Sequence, residues 1–153
     1  MQGGQQFKLD QPGLMKAAPV ALIVGAVAGA LYIVFGLWSI AGILGWIVPI
    51  FGGVWYVMTA RKAGMMPSRM DGLVNGAILG ALVGLAYGLL ALITLPIGLN
   101  SAPGGFGGVD ETFAGFSSGA IVGILITVVI LGALLGAAGA FGYSYLVKSG
   151  TVK

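Results

Sequence analysis

The side chains able to do chemistry are few and scattered. Neither histidine nor cysteine occurs, which removes the usual haem and zinc ligand and all thiolate, disulfide and iron–sulfur chemistry. Met65, Met66 and Met70 lie close together, and three thioethers are a donor set for Cu(I). Methionines beside a membrane surface more commonly act as apolar anchors, so no metal is assigned to them. Asp110 and Glu111 are adjacent, but two carboxylates rarely suffice for calcium, and a solvated loop is the better account. General acid–base catalysis needs positioned titratable groups. The chain has only four acids, spread over separate segments. We expect no catalytic residue, no cofactor and no enzymatic activity. The glycine run at Gly104, Gly105, Gly107 and Gly108 lacks the lysine that a phosphate-cradling loop requires.

Ionisable residues inside apolar segments mark proton relays and ion pathways. The long apolar runs here contain none. The polar candidates for chemistry within them are Tyr32, Asn75, Tyr87, Thr94 and Thr127, each expected to serve helix packing through a hydrogen bond or an interfacial position.

The elements that must hold these residues follow from composition. The chain has 153 residues, of which 58% are hydrophobic and 7% charged, whereas soluble domains carry about 25% charged residues. Charge is confined to the borders of three runs, Ala17 to Ala60, Gly72 to Val109 and Thr112 to Val147. A membrane-spanning helix needs about 20 apolar residues, so the first run holds two spans and the others one each. The expected fold is all-α: a polytopic membrane protein whose four transmembrane helices, at about 17–38, 41–60, 72–95 and 119–147, pack as two helical hairpins. Residues 1–16 form a polar tail, 97–118 a Gly/Pro-rich external loop, and 148–153 a second tail. Lys16, the apolar stretch behind it, and Ala26 and Ala28 resemble a cleavable leader, but the run continues into a second span and is expected to stay uncleaved.

Glycine recurs at Gly72, Gly76, Gly80, Gly84 and Gly88, every fourth residue. Each would cost about 1 kcal/mol relative to alanine in a helix interior, a penalty that close backbone packing in a bilayer offsets. Small residues repeat likewise at Ala17, Ala21, Gly25 and Gly29, and at Gly132 and Gly136. These small-xxx-small stripes are the predicted helix-packing interfaces. Four residues advance the helix by about 400°, so the third-helix stripe drifts by about 40° per glycine. Either one partner crosses it at about −40°, or two neighbours share it. Pro49 is expected to kink the second helix. The similar segments starting at Gly25, Gly76 and Gly119 suggest duplication of a hairpin, although a chain so rich in Gly, Ala and Leu produces such matches readily.

All seven Lys/Arg residues fall on one side of a four-span arrangement, and Asp110 and Glu111 on the other. By the positive-inside rule both termini are expected in the cytoplasm. Small four-span prokaryotic membrane proteins look like this chain, and the expected location is a prokaryotic plasma membrane. The basic residues suit lipid headgroups, and they are too few for a nucleic-acid surface. Chemical silence, more packing stripes than one bundle requires, and loop aromatics Phe106, Phe113 and Phe116 as partner contacts point to a structural or accessory subunit among other transmembrane chains. The alternative is a homo-oligomeric pore or small carrier for a neutral solute, with the glycine stripe facing its lumen.

Overall fold

A computed structural model describes residues 9–65, 67–100 and 118–148. Four long helices carry the fold: α1 (Gln11–Ala30), α2 (Trp38–Lys62), α3 (Arg69–Asn100) and α4 (Ser118–Lys148). Each is long and apolar enough to cross a membrane, and together they form an all-α bundle of a multi-pass membrane protein. The start of α1, the end of α2, the start of α3 and the end of α4 share one end of the bundle. Every charged side chain among the described residues lies there: Asp10, Lys16, Arg61, Lys62, Arg69, Asp71 and Lys148.

Each boundary has a local cause. α1 begins at Gln11, well before the expected Ala17, because the Asp10 carboxylate accepts from the Gly13 N–H at 3.0 Å and Pro12 occupies the first turn. The segment from Gln11 to Lys16 is therefore helix rather than tail. Beyond Ala30 the backbone tightens into two 3-10 turns, Leu31–Ile33 and Phe35–Leu37, separated by Val34 in an extended conformation. The reversal thus comes earlier than the expected break between helices at 17–38 and 41–60, and Trp38 opens α2 instead of closing α1. Its indole N–H donates to the Tyr32 carbonyl at 2.9 Å, which holds the two sides of the turn together.

α2 runs unbroken through Pro49. It ends at Gly64, whose φ of +75° is the left-handed conformation that closes a helix, with Met65 N–H donating to the Ala60 carbonyl at 3.0 Å. Ser68 and Asp71 then start α3 reciprocally: Asp71 N–H donates to Ser68 Oγ at 3.1 Å, and Ser68 N–H donates to Asp71 Oδ2 at 3.3 Å. α3 continues through Pro96 to Asn100, so the first residues of the expected external loop are helical.

α3 is the central helix. It packs most extensively on α4 and next on α1, while α2 touches all three others. α1 and α4 occupy opposite corners, and α1 leans more on α3 than on its sequence neighbour α2. The core is small and made of small residues: Ala17, Ala21, Ala60 and Ala140 are buried around Leu79, Val83 and Tyr56.

The glycine stripe of α3 meets a single partner. A methyl group placed on Gly80 would fall on the Gly132 carbonyl oxygen and lie 2.7 Å from Gly136 Cα. On Gly84 it would lie 2.7 Å from the Val128 carbonyl oxygen, and on Gly76 2.5 Å from Ala140 Cβ. Towards the ends the fit relaxes, to 3.3 Å from Leu125 Cδ2 at Gly88 and 3.6 Å from Ser144 Oγ at Gly72. Closest approach at the centre and divergence at both ends is the geometry of two crossing helices, so α4 alone covers the drifting stripe. Gly25 and Gly29 of α1 pack on another face of α3: a methyl on Gly25 would stand 2.6 Å from the Val83 carbonyl oxygen, and one on Gly29 would fall on that of Tyr87. Gly53 and Gly139 bring α2 equally close to α4. These stripes are thus occupied inside one chain, which withdraws the premise that they exceed what the bundle needs. The same contacts put α4 where a lumen along the third helix was expected.

Candidate functional site

Two polar loci are built into the bundle. The first lies at its charged end, where α1, α2 and α3 converge. Asp10, fixed as the cap of α1, accepts a hydrogen bond through Oδ2 from the Tyr56 hydroxyl at 3.1 Å, and its own N–H donates to Asn75 Oδ1 at 3.1 Å. Asn75 returns its amide to the Asp71 carbonyl at 2.8 Å. Tyr56 and Asn75 are fully buried, so one carboxylate and one amide join three helices where unsatisfied polar groups would be costly. Beside this junction is a cavity of about 310 Å³ bordered by Leu9, Asp10, Pro12, Met65 and Asp71. The hydrogen bonds consume much of what Asp10 could offer a ligand, and the junction acts as a clasp.

The second locus lies towards the other end, under the 3-10 turns. The hydroxyls of Tyr32 and Tyr87 are 3.0 Å apart, and that of Tyr87 donates to the Ala41 carbonyl at 3.2 Å. A phenol has one proton, so with Tyr87's committed to Ala41, the proton between the rings belongs to Tyr32. The rings meet edge to face with centroids 6.2 Å apart. Next to them α2, α3 and α4 leave a cavity of about 220 Å³, lined by Tyr32, Tyr87, Gly42, Gly45, Leu131 and Leu135 among others. The Thr94 hydroxyl stands 2.8 Å from the carbonyls of both Gly29 and Leu90, so its single proton is shared between α1 and its own helix.

Four of the five polar residues expected to serve packing do so, and Thr127 does not. Asn75 and Thr94 join α3 to α1, Tyr32 and Tyr87 join the turn to α3, and Thr127 bonds only the Gly123 carbonyl of its own helix on an exposed face. Met65 and Met70 are exposed at the charged end. Met66, Asp110, Glu111, Phe106, Phe113 and Phe116 lie outside the described residues. Among the described residues there is no group of three or more His, Cys, Asp or Glu side chains that could hold a metal ion. At the charged end, Trp55 stacks on Phe51 with centroids 5.7 Å apart, and Lys62 Nζ lies 5.9 Å from its ring centre, an arrangement suited to a membrane–water interface.

Asp10 and Tyr56 are the functional-looking residues that reasoning from sequence passed over. A signal for Asp10 was present: an acid two residues before Pro12 at the head of an apolar run reads as a helix cap. Tyr56 carried no comparable signal, because its partner is 46 residues away. No family model, curated protein or solved structure matches this chain.

Proposed function

We propose that the chain is a non-catalytic integral membrane protein, a small structural or accessory subunit that packs against larger partners in a membrane complex. The observation that carries this reading is the contrast between interior and exterior. Inside, the buried polar residues Asn75 and Thr94 are spent on holding helices together. Outside, α4 presents a long apolar face through Val122, Ile126, Ile130 and Leu134, and little of this helix is buried within the chain. Lipid or neighbouring transmembrane subunits cover such a surface. The glycine contacts between α3 and α4 suit a glycine zipper that makes the bundle rigid enough to act as a docking body. Clustering of Arg61, Lys62, Arg69 and Lys148 at one end favours both termini in the cytoplasm, as in a prokaryotic plasma membrane, with those cations near anionic headgroups.

The test is extraction from the native membrane in a mild detergent, followed by measurement of the mass and composition of the particle. A particle containing other membrane chains is expected. Isolation as a lone monomer would overturn the reading. The second reading, a homo-oligomeric pore or small carrier for a neutral solute, draws support from the 220 Å³ cavity beside Tyr32 and Tyr87 and from Pro49 within α2. Flux into reconstituted vesicles above an empty control is its test. Substituting Gly80 cannot diagnose a pore, because that residue packs on α4.

A further inference from the structure

We propose that the cavity between α2, α3 and α4 is a binding site for a small, neutral, largely apolar molecule bearing one hydrogen-bond donor, of the phenol class. Three observations converge on this. The first is size: at about 220 Å³ the space exceeds the roughly 150 Å³ apolar cavity that suffices for benzene, and it accommodates a substituted ring. The second is lining. Leu131, Leu135, Val128 and Pro49 give an apolar wall, with the two phenols as its polar side chains besides the indole of Trp46, the pattern of apolar surface with few placed polar groups that marks a small-molecule site.

The third is hydrogen-bond direction. The protons of both phenols are already placed, Tyr87's on the Ala41 carbonyl and Tyr32's on the Tyr87 oxygen. What Tyr32 can still offer is an acceptor oxygen. A ligand that bonds Tyr32 must therefore donate, which at that position selects an alcohol, a phenol or an N–H over a ketone or an ether. Glycine keeps the space open. A methyl on Gly42 would point towards the Tyr32 hydroxyl at 3.8 Å, an ordinary contact, so a larger side chain there would enter the cavity without striking backbone. Exposure of Trp46 and Leu131 beside it provides an entrance from the lipid side. Occupancy does not depend on whether the chain works alone or as a subunit.

The test uses the full chain in phosphatidylcholine nanodiscs, with 4-fluorophenol and its methyl isostere 4-fluorotoluene as ¹⁹F probes and empty nanodiscs as the partition control. Saturable binding of 4-fluorophenol is expected, about three- to tenfold tighter than that of 4-fluorotoluene, the range of one neutral hydrogen bond. Tyr32→Phe should abolish the preference while retaining binding of both probes, and Gly42→Leu should abolish saturable binding of both. Circular dichroism establishes that each variant is helical, and Leu135→Phe provides a second filling substitution from α4. Partition no greater than in empty nanodiscs would overturn the proposal. So would equal affinity of the two probes in the unsubstituted protein, the result expected of a space that takes lipid chains, or binding that survives both filling substitutions.

Discussion

The two faces of α3 are held by different physics. Towards α4 the contact is backbone on backbone: Gly76, Gly80 and Gly84 face Gly132, Gly136 and the Val128 carbonyl. Towards α1 the glycines are fewer, Gly25 and Gly29, and the contact is fastened by hydrogen bonds, Asp10 N–H to Asn75 at one end and Thr94 to the Gly29 carbonyl at the other. Lipid supplies no hydrophobic drive between helices, which leaves dispersion and interhelical hydrogen bonds to join them. Where close approach runs the length of the interface, shape suffices. Where it is limited to a short stretch, polar fasteners supplement it. The difference teaches that the number of glycines in register indicates which kind of adhesion an interface uses.

The largest expected effect breaks the shape-based face. Gly80→Leu drives a branched side chain into the Gly132 carbonyl, where nothing flexible can yield, and should destabilise the bundle by about 3 kcal/mol or more, read as a lower unfolding midpoint in a detergent titration. Next comes the polar face. Asn75→Ala leaves the half-buried Asp10 N–H at the start of α1 without its acceptor and should cost about 1–3 kcal/mol in the same titration. Thr94→Val retains shape and removes one shared hydrogen bond, for an expected loss of about 0.6 kcal/mol. About 28 Å of helix separates these two residues, so the double variant should lose the sum of the single losses within about 0.5 kcal/mol; a larger departure would mean that the two fasteners act as one unit. The smallest effect has the opposite sign. A methyl on Gly123 meets open space, and Gly123→Ala should leave stability unchanged or raise it by about 0.5 kcal/mol. Loss of stability at Gly123 comparable to that at Gly80 would show that the distinction between packed and open glycines is false.

The helices and their packing faces were legible because both leave periodic signals: apolar runs of spanning length, and glycine at every fourth residue. Which of two geometries the α3 stripe adopts was not legible, since drift around the helix permits either one crossing partner or two neighbours. The clasp was harder still. Asp10 carries a helix-cap signal but none of its distant partners, and only the approach of Tyr56 and Asn75, from helices distant in sequence, makes it a junction. The Tyr32–Tyr87 pair was visible as two polar residues in apolar runs, but their meeting depends on the turn at residues 31–37, and a turn without proline or a pair of glycines carries little local signature.

The clasp at Asp10 also imposes an order on biogenesis. α1 leaves the ribosome before either of the helices that fasten it exists, and its main packing partner, α3, is the third to emerge. Until then Gly25 and Gly29 lack their native partner, and Asp10 has the Gly13 N–H of its own first turn and, once α2 is made, the Tyr56 hydroxyl. The first span thus waits for the third, and a nascent chain stalled before Asn75 would present the membrane with a helix that lacks its main packing partner.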